Sequence, residues 1–276
     1  MSPIPALKFH DGHSIPQLGL GVWQVANEVA STAVQDAIKA NYRLIDTAAI
    51  YGNEEGVGEG IAKSGLNRDE LFITTKIWNT RHGFDETLKA FNESMDRLSL
   101  EYLDLLLIHW PVPSTDLYVE TWKAFIRLKE EGRVRSIGVS NFTAAHLTRL
   151  IDETGVKPVL NQIELHPRLQ QREMRAFHEK HGILTESWSP LGSGRLLEDS
   201  TLVAIAKKHN KSVAQIILRW HLDKGLIVIP KSITPSRIQE NINVFDFKLD
   251  ADDHDVIDAM DAGTRFGPDP DTFVAP

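Results

Sequence analysis

The chain contains no cysteine. That excludes a disulfide framework, a thiolate nucleophile and any thiolate-held metal, and it is compatible with a reducing cytoplasm. No apolar run approaches the ~20 residues of a membrane span, so no membrane partner is expected. The stretch from Met1 to Lys8 has no basic segment leading into an apolar one, so no secretory leader is expected. Cationic side chains are in deficit: 30 Lys and Arg against 38 Asp and Glu leave a net charge of −8. A general nucleic-acid binder needs a basic surface, so nucleic acid is not expected as a partner either. No H-x-H or equivalent ligand set is present, so no metal site is expected. Three candidates for the phosphate-binding pattern G-x-G-x-x-G fail at the last position: Gly19/Gly21 meets Gln24, Gly56/Gly58 meets Ile61, and Gly192/Gly194 meets Leu197. A Rossmann-type dinucleotide site is therefore not expected.

What remains is an ordinary globular composition, 42% hydrophobic and 25% charged, in 276 residues. Residues 7 to 15 read as a hairpin around a two-residue Asp11-Gly12 turn. After it, short apolar runs alternate with amphipathic segments. The runs are 17–20, 43–46, 71–76, 103–109, 136–140, 159–164, 184–189 and 226–229. The helical segments are 31–41, 54–64, 85–98, 119–131, 144–154, 171–181, the pair 201–209 and 213–222, and 236–244. Eight strand signals alternating with helices imply a parallel sheet with right-handed crossovers. Eight units in this length fit an α/β fold of the (β/α)₈ TIM-barrel type better than an open sheet. Residues 250–260 add a further C-terminal helix, and from Ala262 the tail reads as loop or loosely ordered chain. No Pro-, Gly- or Ser-rich boundary divides the sequence, so residues 1–276 are expected to form one domain.

In such barrels chemistry sits at the C-terminal ends of the strands. Those ends carry Asp46, Lys76, His109, Ser140 with Asn141, Gln162, Trp188 with Ser189, and Lys231. Tyr51 follows Asp46 by five residues, beside Gly52. A free phenol, with a pKa of about 10, is a poor proton donor at neutral pH. A nearby ammonium favours the phenolate and brings the phenol toward the working range. A buried lysine needs an anion to stay charged, and Asp46 can supply it. His109 can donate a hydrogen bond to a carbonyl oxygen. Such a site would protonate a carbonyl oxygen while another group delivers a hydride to its carbon. Taken alone, Asp46 with Lys76 reads more readily as a structural ion pair, and His109 as a packed core histidine.

The motifs decide between these readings. Gly19-Leu-Gly-Val-Trp23, Ile45-Asp-Thr-Ala-Ala-Ile-Tyr-Gly-Asn-Glu55, Thr74-Thr-Lys76, Asp104-Leu-Leu-Leu-Ile-His-Trp-Pro111, Ile137-Gly-Val-Ser-Asn-Phe142, Asn161-Gln-Ile-Glu-Leu-His-Pro167 and Ile229-Pro-Lys-Ser232 together resemble the aldo-keto reductases over essentially the whole chain. The likeness is greatest to the short-loop bacterial branch that includes 2,5-diketo-D-gluconate reductases. It implies a catalytic tetrad of Asp46, Tyr51, Lys76 and His109. It also implies an NADPH-dependent reduction of small aldehydes and ketones, by a cytoplasmic monomer that needs no metal. The nicotinamide carboxamide would meet Ser140, Asn141 and Gln162, and its ring would stack on Trp188. Ser189, Pro190, Leu191 and Gly192 would run beside the pyrophosphate. Lys231, Ser232 and Arg237 would meet the 2′-phosphate, and Glu240 and Asn241 the adenine. Trp23, Trp78, His109 and Trp110 would line the substrate pocket. The loop from Pro111 to Tyr118 and the tail both look short, which implies an open pocket. A non-catalytic nicotinamide-binding sensor or regulatory subunit on the same barrel is the alternative reading.

Overall fold

The computed structural model describes residues 4–274. The first three residues of the leader reading, and the outermost residues of the one-domain reading, lie outside that range. Two short antiparallel strands, β1 (Ala6–Lys8) and β2 (Ser14–Pro16), open the chain. Their turn is one residue longer than the sequence suggests. Phe9 N–H donates to the His13 carbonyl at 2.8 Å and Gly12 N–H to the Phe9 carbonyl at 3.2 Å. Gly12 takes φ of +96°, which marks a three-residue loop with a bulge rather than a two-residue turn.

The barrel strands are β3 (Leu20–Gly21), β4 (Leu44–Asp46), β5 (Phe72–Ile77), β6 (Leu103–Ile108), β7 (Val134–Ser140), β8 (Leu160–Glu164), β9 (Leu184–Trp188) and β10 (Ile227–Val228). They pair in parallel in chain order. The ends meet through bridges from Leu18 to Val228 and from Gly21 to Lys231, with Gly19 N–H donating to the Val228 carbonyl at 2.9 Å. The barrel is therefore closed, as eight alternating units imply. Its first strand is shorter than residues 17–20 suggest. Gln17 turns its amide onto the Leu222 and Leu226 carbonyls instead.

Helices α1 (Asn27–Lys39), α2 (Glu54–Ala62), α3 (Phe84–Leu98), α4 (Tyr118–Glu130), α5 (Ala144–Thr154) and α6 (Arg172–His181) pack outside. So do α7 (Ser200–His209), α8 (Val213–Asp223), α9 (Pro235–Ile242) and α10 (Ala251–Asp258). Most lie within two residues of expectation. The first begins four residues early, at Asn27, whose side-chain oxygen accepts from Gly56 N–H at 2.8 Å. Gly56 and Gly58 serve helix packing: an added Cβ would lie 2.3 Å from the Asn27 carbonyl oxygen at Gly56 and 2.2 Å from that of Leu98 at Gly58.

Strand alternation sorts the interior. On β6, Leu105 and Leu107 join Phe9, Ile15 and Leu44 in the barrel's inner cluster, while Leu106 and Ile108 join the outer cluster against the helices. The same period puts Asp46, Lys76, Gln162 and Glu186 on the inner face. Buried histidines give this packing a pH dependence. Burial pushes His82 and His178 down from the ordinary 6.5 to about 4. Their folded values are depressed, so the unfolded chain binds more protons between those limits and stability falls as pH drops through that window. The melting temperature is expected to fall from pH 6.5 to pH 4 by the equivalent of roughly 3 kcal/mol for each histidine. Replacing His82 and His178 by Gln should lessen that slope, while His221, which burial also pushes down to about 4, keeps part of it.

Candidate active site

β4 ends on Asp46, and a tight turn over Ala49–Tyr51 brings the phenol back across the strand ends. Gly52, at φ of +65°, terminates that turn. Lys76, on the neighbouring β5, is fully buried. Its ammonium donates to Asp46 Oδ1 at 2.5 Å, to the Thr47 carbonyl at 2.8 Å and to the Tyr51 hydroxyl at 3.5 Å. Three N–H groups thus meet three acceptors. His109, just past β6, lies edge-on to Tyr51 with ring centroids 5.7 Å apart. The four residues expected at one rim are together there.

Burial lowers Lys76, but the Asp46 carboxylate and the Tyr51 oxygen more than offset it, and the ammonium is held above its ordinary value. Tyr51 departs from expectation. Burial raises the phenol, and the opposing pull of Lys76 is smaller, so it sits above the usual 10 rather than below. The phenol is therefore fully protonated at neutral pH, and the ammonium acts chiefly on the phenolate that forms when the proton leaves. Burial, with Lys76 second, holds His109 well below its ordinary value. Its imidazole is neutral, and its Nδ1 is buried without a partner among the described residues.

Beside this group opens a cavity of about 510 Å³. Trp23, Trp78, Trp110 and His109 all reach it. Trp78 stands edge-on to His109 at 5.0 Å, while Trp23 is half exposed at the mouth. Ser140, Asn141, Gln162 and Trp188 form one linked polar wall. The Trp188 indole N–H donates to Asn141 Oδ1 at 2.8 Å. Asn141 Nδ2 donates to the His109 carbonyl at 2.9 Å, and Ser140 Oγ to the Gln162 carbonyl at 2.9 Å. Asn141 and Ser189 sit at φ of +63° and +47°, backbone strain that concentrates at functional sites.

The remaining expected residues divide. Ser189, Pro190 and Lys231 line the cavity. Leu191 and Gly192 do not. Leu191 packs into the core, and the chain turns at Gly192 (φ of +58°) so that Ser193 reaches the cavity in their place. Ser232, Arg237, Glu240 and Asn241 lie beyond it. Ser232 is buried with its hydroxyl accepting from Thr234 N–H at 3.1 Å, and Arg237 is exposed on α9. Glu240 Oε1 accepts from the Ser212 hydroxyl at 2.5 Å, and Asn241 is buried.

The tail, expected to leave the pocket open, instead walls it. Phe266, Gly267, Pro268 and Phe273 line the cavity, and Phe273 lies 4.3 Å from Trp110 between ring centroids. Glu164, at the end of β8, is the anchor. Its carboxylate accepts from Phe266 N–H at 2.7 Å and Gly267 N–H at 3.0 Å. His166 contacts the same carboxylate at 3.0 Å and stacks on Phe266. Burial would raise Glu164, but these contacts hold it below its ordinary value. Gly267 also packs against Trp188, where an added Cβ would lie 2.4 Å from the indole ring. Gly267→Ala is expected to cost about 1–3 kcal/mol of tail packing, read as a higher KM for the reacting carbonyl and a lower melting temperature.

Comparison with known proteins identifies the class. The Aldo/keto reductase family pattern matches residues 17–262. Methylglyoxal reductase DkgA of Escherichia coli (strain K12) is 55% identical over 269 residues, 97% of each chain. An aldo/keto reductase from Brucella melitensis has a crystal structure that superposes with a TM-score of 0.91 at 63% identity, covering 94% of this chain and all of the other. A mutant of Gox0644 in complex with NADPH superposes at 0.96 with 53% identity, covering 99% of this chain and all of the other. The chain belongs to the aldo/keto reductase family and is an NADP-dependent oxidoreductase. Among the described residues, no helix is long and apolar enough to cross a membrane, and no group of three or more His, Cys, Asp or Glu could hold a metal ion.

Proposed function

We propose that this chain, one barrel domain acting as a cytoplasmic monomer, reduces small aldehydes and ketones to alcohols, with Tyr51 as the proton donor. The observation that carries this is the Lys76 ammonium, whose three donors are shared among Asp46, the Thr47 carbonyl and the Tyr51 hydroxyl at the edge of an apolar cavity. The cavity suits a nicotinamide: its polar wall offers both donors and acceptors to a carboxamide, and Trp188 offers a flat face. Ser140, Asn141, Gln162 and Trp188 would hold that end, and Ser189, Pro190 and Lys231 the chain toward the phosphates. Lys231 and Arg237 favour the 2′-phosphate of NADPH over NADH. Bound NADPH supplies the hydride that a carbonyl carbon receives.

The protein's own groups supply the rest. His109, neutral and set edge-on between Tyr51 and Trp78, orients the carbonyl oxygen toward the phenol. Tyr51 gives its proton to that oxygen, and the resulting phenolate faces the Lys76 ammonium. Asp46 keeps that ammonium charged. Trp78, Trp110 and Phe273 exclude water and favour compact apolar groups beside the carbonyl. Small dicarbonyls fit this description, among them methylglyoxal, which names the E. coli relative; keto acids and keto sugars, with more polar groups beside the carbonyl, are the comparison classes. The test is an NADPH-oxidation screen across these classes, repeated with NADH and with chelator. Turnover with NADPH, weaker with NADH and indifferent to chelator, is expected. Tight NADPH binding with no oxidation by any carbonyl would favour a sensor instead.

A further inference from the structure

Glu186 stands in the middle of β9, fully buried inside the barrel and in register with Gln162 on β8. Its Oε2 accepts from Gln162 Nε2 at 2.8 Å, and the same nitrogen donates to Asp46 Oδ2 at 2.9 Å. A side-chain amide nitrogen carries two hydrogens. Both are taken here, so the amide is fixed in rotation, and its carbonyl oxygen is the end left for a ligand in the cavity that Gln162 lines.

We propose that Glu186 is a positioning residue for the nicotinamide. By sharing the Gln162 amide with Asp46, it turns the Gln162 carbonyl oxygen to the cavity and so selects a ligand that donates an N–H there, the cofactor's carboxamide. This rests on the reductase reading above.

Glu186 does this work as an uncharged acid. An ionised carboxylate here would have one neutral donor for one oxygen, while Glu186 Oε1 is buried without a partner. Asp46 already supplies the anion that pairs with Lys76. Burial first, and the Asp46 charge second, push Glu186 up to about 8. The charged or titratable groups that face it are Asp46 from β4, Lys76 from β5 and Tyr51 from the turn after β4. When Glu186 loses its proton, the new charge pushes Tyr51 and Lys76 further up. It also favours the positively charged ring of NADP+ over the neutral ring of NADPH.

Fluorescence titration of the full chain with NADPH and NADP+ at pH 7 and pH 9.5 tests this. Glu186→Gln matches the neutral acid in shape and still offers an oxygen to Gln162, so its NADPH Kd at pH 7 is expected within about threefold of wild type. Glu186→Leu frees the amide, and a roughly tenfold weaker Kd is expected. In wild type the ratio of the two cofactors' affinities should move about tenfold toward NADP+ between the two pH values. In Glu186→Gln it should not move. The ratio cancels titration of the phosphate that both ligands carry. A Glu186→Leu Kd within twofold of wild type would overturn the proposal. So would an equal pH shift in wild type and Glu186→Gln, and this second comparison decides alone if the leucine variant does not fold. Turnover is not read, so failure of the reductase reading shows separately, as binding without NADPH oxidation.

Discussion

Tyr51→Phe is expected to lower kcat by about a thousandfold, within the range of a lost general acid, while the NADPH Kd stays within about twofold of wild type. The phenyl ring keeps the edge-on contact with His109 and the packing of the turn after β4, so the cavity keeps its shape. What is lost is a single hydroxyl, the one uncharged acceptor of the three that the Lys76 ammonium meets which can also give up a proton. Because burial holds the phenol above 10, the acid form is present across the neutral range. Reduction should therefore run flat through the neutral range, below the value of about 8 at which Glu186 loses its proton. A histidine donor would behave otherwise: His109 is held well below its ordinary value, and a reaction needing its protonated form would climb toward acid. Retention of more than a tenth of wild-type kcat by Tyr51→Phe, a loss of only ~1.4 kcal/mol, would move the proton-donor role away from this residue.

The barrel, and the gathering of Asp46, Tyr51, Lys76 and His109 at one rim, were legible in local pattern, while their reading as a catalytic group came from the family motifs. Apolar runs with period 2 between helical segments announce a closed parallel sheet, and residues at strand ends must share one rim once the sheet closes. Glu186 was not legible by that rule, since it lies inside β9 rather than at its end. An acid at an inward position of Leu184–Trp188 was the available signal. The tail's role had none. Phe266 and Gly267 are held through their backbone N–H groups by Glu164, about a hundred residues earlier, and backbone donors carry no side-chain signature. Leu191 and Gly192 lie off the cavity for a related reason. A strand can be extrapolated in a straight line, but the positive φ at Ser189 and Gly192 turns the chain off it. The net direction of Tyr51 depended on weighing burial against the lysine, and burial is a three-dimensional quantity.

Lys76→Met is expected to lower kcat by about a thousandfold, roughly 4 kcal/mol, and to destabilise the fold by about 3–5 kcal/mol at neutral pH. The two losses have separable causes. Met spans nearly the same volume, so the barrel interior stays filled, but Asp46 is left fully buried with Gln162 as its remaining side-chain donor. Burial already pushes Asp46 up, with Lys76 opposing. Without the lysine its folded value rises further above the unfolded one. A group with a raised folded value contributes stability at low pH that is lost as pH rises through that value. The deficit relative to wild type should therefore be smaller at pH 5 than at pH 8, and comparing the two proteins at each pH cancels the histidine effect. Adding Asp46→Asn removes the stranded charge. The double variant should recover most of the melting temperature, yet its kcat should stay low, because nothing then stabilises the phenolate left on Tyr51 after proton transfer. An ion pair serving only the fold would behave differently: turnover would return together with stability, and the lysine would have no part in the chemistry.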